Sequence, residues 1–215
     1  MLLKESGALL SRFWRGFGRL GERGPADGEP LMVIPGFLAN DRTTLGLQRA
    51  LADAGYRVTG WRLGLNTGVQ ADTLDRIVER VERFGRGGKV VLVGWSLGGI
   101  YAREAAKLRP DLVSKVVTLG SPFSGDPHGN NVWRLYELVS GHRVDDPPIK
   151  TDTGEKPPVP TLAIWSRRDG IVAPAAARGE PDQSDRRLEI DCSHMGFAVS
   201  GAAYPKIVEA VRGFS

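Results

Sequence analysis

An α/β architecture, with about six mostly parallel strands flanked by helices on both faces, is the fold that this sequence of 215 residues predicts. Three observations lead there. From Leu31 onward, short runs rich in branched apolar residues alternate with stretches of helical periodicity, which is how strand and helix units in series read. Residues able to do chemistry fall just after several of those runs, where open sheets of this kind bind ligands. Finally, 41% apolar and 25% charged residues suit a globular chain with one well-buried core, and no repeat or long low-complexity tract intervenes.

The first twenty residues stand apart. On a helical projection Leu2, Leu3, Leu9, Leu10, Phe13, Trp14, Phe17 and Leu20 share one side, and Lys4, Arg12, Arg15 and Arg19 another. Such a basic amphipathic helix would dock on its own domain, on a second copy, or on an anionic membrane surface. Arg23 to Pro30, rich in Gly and Pro, reads as a linker, so residues 1–30 form an appendage and 31–215 the domain.

Within the domain the expected strands are Leu31 to Ile34, Tyr56 to Thr59, Val90 to Val93, Lys115 to Leu119, Thr161 to Trp165 and Arg187 to Ile190. Between the first two, Leu47, Leu51 and Ala54 mark a helix that Gly55 would cap. Leu74, Ile77, Val78, Val81 and Phe84 mark a second helix, and Leu97, Ile100, Tyr101, Ala105 and Leu108 a third, stopped by Arg109-Pro110. Tyr204, Ile207, Val208 and Val211 mark the last. The one sizeable insertion spans about residues 123–160. In it Val132, Leu135, Tyr136 and Val139 form an apolar face, suited to roofing a pocket or to core packing, and the Pro-rich part from Asp145 reads as a mobile loop.

Composition narrows the function classes. The excess of 29 basic over 25 acidic side chains is mild and unlike a nucleic-acid-binding surface. Cys192 is the sole cysteine, which excludes an intrachain disulfide, and His128, His142 and His194 lack metal-ligand spacing, so neither a metal nor another cofactor is expected. No apolar stretch is long enough to span a bilayer and no signal-peptide pattern stands at the start, so a cytoplasmic address is expected, with residues 1–20 as the one peripheral membrane candidate.

The chemistry-bearing motif is Gly94-Trp95-Ser96-Leu97-Gly98, between the third strand and the third helix. A serine on so tight a turn takes a strained backbone conformation, and small neighbours let the chain double back. Ser96 would be a nucleophile, and the amide of Leu97, at the helix start, would face a developing oxyanion. A second amide, that of Phe37, would come from the loop after the first strand, where Gly36 lets the backbone turn.

Ser96, Asp169 and His194 follow the third, fifth and sixth strands, in the chain order serine, acid, histidine. His194 would carry the proton between nucleophile and leaving group, and Asp169 would orient the imidazole. Asp145, Asp152 and Asp191 are rivals for the acid's place. Cys192 is a rival nucleophile that lacks an elbow and reads better as a small buried residue.

These residues resemble the α/β-hydrolase fold family, and within it the small lipases and carboxylesterases, over about Leu31 to Val211. The segments that carry the likeness are Ile34-Pro35-Gly36-Phe37, Gly94 to Gly99, Thr118-Leu119-Gly120-Ser121-Pro122, Ser166-Arg167-Arg168-Asp169 and Ser193-His194-Met195-Gly196. Two departures stand out: no insertion is long enough for a full cap domain, and proline precedes Gly36 where many relatives have histidine. The resemblance implies hydrolysis of short- to medium-chain or lipid esters through an acyl-enzyme, with the acyl chain against Phe37, Trp95 or the segment around Trp133. Thioesters, amides and acyl transfer use the same triad, and a binding module that kept the fold but lost catalysis is the other class.

Overall fold

In a computed structural model, which describes residues 21–125 and 152–214, six strands form one sheet among the described residues. The expected amphipathic helix of residues 1–20, the apolar face from Val132 to Val139, Trp133, Asp145, His128 and His142 lie outside the described residues. In chain order the elements are β1 (Pro30–Ile34), α1 (Leu45–Asp53), β2 (Arg57–Gly60), α2 (Thr73–Gly85), β3 (Val90–Trp95), α3 (Leu97–Leu108) and β4 (Val113–Leu119). After the insertion come β5 (Thr161–Trp165), α4 (Pro174–Arg178), β6 (Arg186–Glu189), α5 (Gly196–Val199) and α6 (Tyr204–Arg212). Every strand falls within two residues of its sequence expectation. The helices α4 and α5 were not expected, because five and four residues are too few to display a 3.6-residue period.

The sheet order is β2-β1-β3-β4-β5-β6, and every neighbouring pair is parallel. Strand periodicity divides the core. Leu31, Val33, Val91, Val93, Leu119 and Ile164 point to one face with Leu47 and Leu51 of α1 and Ile207 and Val211 of α6. Met32, Ile34, Val90, Leu92 and Val116 point to the other, against Ile77 and Val81 of α2 and Tyr101 and Ala105 of α3. Both faces are thus covered, and each fully buried leucine contributes about 2 kcal/mol.

The chain turns from β1 to β2 on one side and crosses over to β3 on the other, so the order reverses between β1 and β3. Their carboxyl ends form the crevice in which such sheets bind ligands.

The two edges are protected differently. Residue 23, expected in a linker, instead pairs antiparallel with Val58: the Arg23 amide donates to the Val58 carbonyl at 2.8 Å, and the reverse bond is 2.7 Å. Strand β6 is short and carries the exposed charges of Arg186, Arg187 and Glu189, which discourage pairing with another chain.

The part of the Pro-rich insertion within the described residues is anchored, where sequence suggested a loose loop. Arg103 of α3 is fully buried and donates to the carbonyls of Thr153, Gly154, Glu155 and Gln183 at 3.1 to 3.2 Å, with its guanidinium 4.1 Å from the centre of the Phe123 ring. Burial pushes the guanidinium down to about 10, so it stays charged at neutral pH. The Thr153 hydroxyl donates to the Phe123 carbonyl at 3.1 Å, which joins the two ends of the insertion at its base.

Candidate active site

The turn from β3 to α3 holds Ser96 at φ 55° and ψ −125°, a left-handed conformation that non-glycine residues seldom adopt. The surrounding glycines explain how the turn closes. A Cβ on Gly94 would overlap the carbonyl of Gly98, one on Gly98 would overlap the Ile34 carbonyl at the end of β1, and one on Gly99 would overlap the Ser121 hydroxyl. The helix therefore starts against the end of β1, and the loop after β1 is drawn in beside it. A Cβ on Gly36 would stand 3.0 Å from the Cβ of Ser96.

Leu97 opens α3, so its amide is among those with no partner inside the helix and lies at the positive end of the helix dipole. Phe37 lies in a tight turn in which the Ala39 amide donates to the Gly36 carbonyl at 3.1 Å and Leu38 takes φ 56°. Its side chain packs on the cluster that contains Ile34 and Tyr101.

On the other side of the sheet end, His194 Nδ1 and Asp169 Oδ2 are 2.7 Å apart, with the two side chains 6% and 1% exposed. The second carboxylate oxygen, Oδ1, accepts from the amides of Ile171 and Val172 at 2.9 and 2.8 Å, so both oxygens of Asp169 are engaged. An N–H at Nδ1 that donates its hydrogen bond to this carboxylate leaves Nε2 as the nitrogen with the free lone pair. Asp191 sits outside this arrangement, paired with Arg168 at 3.3 Å on the surface, and Asp152 caps its own turn by accepting from the Gly154 amide.

Trp95 links β3 to the loop that carries His194. It is 4% exposed, its indole N–H donates to the His194 carbonyl at 3.1 Å, and its ring centre lies 5.5 Å from that of the imidazole. Strand alternation turns Trp95 to the same face as Val91 and Val93, into the core. The Ser96 hydroxyl makes no hydrogen bond to the imidazole in this arrangement; such bonds are commonly long in unliganded sites and close once substrate is bound.

Ser166, not singled out by sequence reasoning, ties the loop after β5, with Asp169, to the loop after β6, with His194. Its hydroxyl donates to the Cys192 carbonyl at 2.6 Å and accepts from the Arg168 amide at 3.0 Å, and it is 1% exposed. Among the described residues, no group of three or more His, Cys, Asp or Glu side chains is arranged to hold a metal ion.

Cys192 is buried, and that burial, with Asp169 and Asp191 nearby, pushes its thiol up to about 11. Only the thiolate is nucleophilic, and at pH 8 about one thiol in a thousand would be ionised. Native protein is therefore expected to resist iodoacetamide at pH 8 and to be alkylated at Cys192 once unfolded, as read by intact mass.

Compared with known proteins, residues 29–140 match a family model described as alpha/beta hydrolase fold. No curated protein sequence matches the chain. Among solved structures, one from the metagenome-derived lipolytic enzymes LipS and LipT is similar with a TM-score of 0.64 at 17% identity, over 90% of this chain and 95% of that one. A lipase-esterase related protein from Clostridium acetobutylicum is similar at 0.63 and 14%, over 91% and 98%. The thioesterase RedJ from the prodiginine pathway of Streptomyces coelicolor is similar at 0.62 and 14%, over 92% and 96%. At these identities the likeness is one of fold. Among the described residues no helix is long and apolar enough to cross a membrane.

Proposed function

Because the chain belongs to the α/β-hydrolase fold family, we propose that it hydrolyses carboxylic esters through an acyl-enzyme intermediate, with Ser96 as nucleophile, His194 as general base and acid, and Asp169 as the group that orients the imidazole. The observation that carries this reading is the buried 2.7 Å contact between His194 and Asp169, at the same end of the sheet as a serine held at φ 55°. A carboxylate with both oxygens engaged, facing a ring nitrogen away from water, is the arrangement that keeps an imidazole in the basic tautomer.

The cycle is then conventional acyl transfer. Ser96 Oγ bonds to the substrate carbonyl carbon as its proton passes to Nε2, and the amides of Phe37 and Leu97 receive the charge that develops on the carbonyl oxygen. Collapse breaks the ester C–O bond, and the imidazolium gives its proton to the leaving alcohol. Water, deprotonated by the same Nε2, then releases the acid and frees Ser96. These side chains and water suffice for every step.

Leu38, beside Phe37, and Met195, beside His194, are exposed apolar side chains, which favours an apolar acyl group. We place the activity in the cytoplasm, with contact between residues 1–20 and a membrane as the route to lipid esters. Thioesters and amides would be cleaved by the same steps, and acyl transfer to an alcohol would replace water in the last one.

A fluorophosphonate probe tests the reading. Wild type is expected to gain one probe mass, on the peptide that carries Ser96, and to hydrolyse p-nitrophenyl esters from acetate to octanoate with a maximum at short to medium chain. Folded wild type that stays unlabelled, but binds anionic vesicles only when residues 1–20 are present, would establish the binding module instead.

A further inference from the structure

The loop that carries the Phe37 amide contacts one side chain that the reaction scheme does not use. Asn66 lies between β2 and α2 and is fully buried. Its Nδ2 donates to the Pro35 carbonyl at 2.9 Å, its own amide donates to the Ala39 carbonyl at 2.8 Å, and its carbonyl accepts from the Leu38 amide at 2.7 Å. Its Oδ1 accepts from the Gly68 amide at 3.2 Å and from the Tyr101 hydroxyl at 3.4 Å. The three bonds to residues 35, 38 and 39 bracket Gly36 and Phe37 from both sides, and Tyr101 stands on α3, the helix that begins with Leu97.

We propose that Asn66 is the positioning residue of the oxyanion loop: it sets the Phe37 amide in register with the Leu97 amide by fastening residues 35–39 to the nucleophile helix. The proposal rests on the ester-hydrolase reading and extends it to a residue outside the triad. Its physical basis is that an oxyanion donor acts only when already aimed, since a backbone amide that must reorganise during the reaction loses most of its value. Left alone, this loop has reason to relax. Leu38 sits at φ 56°, a strained value for a residue with a Cβ, and the Leu38 amide is held there by the Asn66 carbonyl. The Pro35 carbonyl, at the strand end, is met by the Asn66 side chain.

Asn66→Asp isolates the bond that matters. The new carboxylate keeps an acceptor for Gly68 and Tyr101 but sets an oxygen against the Pro35 carbonyl, so the loop is pushed off while the shape of the side chain is kept. The measurement is p-nitrophenyl butyrate hydrolysis by the full chain, with kcat expressed per site titrated by a fluorophosphonate, so that only folded, reactive molecules are counted. The expected result is a fall in kcat of about 10- to 100-fold with KM within about threefold of wild type, because the lost interaction acts in the transition state. Affinity for butylboronic acid, which forms a tetrahedral adduct on the serine, should fall in step with kcat/KM. Asn66→Ser, which is too short to reach Pro35, should give the same split and stands in if the aspartate variant does not fold. A kcat per titrated site within about twofold of wild type, with only the unfolding midpoint lowered, would reduce Asn66 to a structural residue and overturn the proposal. A wild type that neither labels nor hydrolyses esters overturns this proposal and the ester-hydrolase reading together, whereas an active wild type with a normal Asn66→Asp variant overturns this one alone.

Discussion

Ser96→Ala is expected to lower kcat on p-nitrophenyl butyrate by about 10⁵- to 10⁶-fold, with KM changed by less than about threefold. The alanine keeps the backbone turn that the three glycines permit and keeps both candidate oxyanion amides, so substrate still binds in a polarising environment. What disappears is the atom that forms the acyl bond. His194→Ala should cost nearly as much, since an undeprotonated hydroxyl is a poor nucleophile at neutral pH. The double variant is then the informative one. If Ser96 and His194 act as one unit, removing both costs no more than removing either, and a residual acceleration of about 10³-fold over water persists from the oxyanion amides and binding alone. Losses that instead multiply would mean that the two side chains serve different steps, and the acyl-enzyme scheme would fall.

Much of this arrangement could be read from the chain because strand and turn physics are local. Val90 to Val93 is apolar at every position since the strand is covered on both faces, and that leaves a mark in the sequence that needs no partner to interpret. The elbow is legible for the same reason. Gly94, Gly98 and Gly99 are each required by a backbone or side chain that would collide with a Cβ, so the motif is a direct record of steric demand. The positions of Asp169 and His194 follow from where β5 and β6 end.

The polar residues that hold the site in place left no such record. Asn66, Ser166 and Arg103 bond largely to backbone carbonyls and amides that lie far away in sequence, such as Pro35, Cys192 and Gln183. Every residue offers a carbonyl, so nothing in the partner's identity marks the pairing. Trp95 is an intermediate case: its aromatic character beside the nucleophile suggested substrate contact, while counting along β3 from Val93 points it to the core. Alternation along a strand decided its orientation, and its indole N–H then found the nearest carbonyl needing a donor, that of His194.

Asp169→Asn is expected to lower kcat by about 10⁴-fold while leaving the fold intact. The cause is which ring nitrogen keeps the proton. Ile171 and Val172 both direct amide N–H groups at the Oδ1 position, so the carboxamide must place its oxygen there, and its NH₂ group is left facing His194 Nδ1. An NH₂ group donates and cannot accept, so the imidazole responds by presenting a lone pair at Nδ1 and moving its proton to Nε2. Nε2, the nitrogen that would take the serine proton, is then already protonated and cannot act as base. Fluorophosphonate labelling should slow along with turnover, because serine attack on the probe needs the same proton acceptor. Asp191→Asn serves as the control: that carboxylate pairs with Arg168 on the surface, so its loss should change kcat by less than about twofold. If Asp191→Asn abolished turnover and Asp169→Asn did not, the acid would have been assigned to the wrong loop.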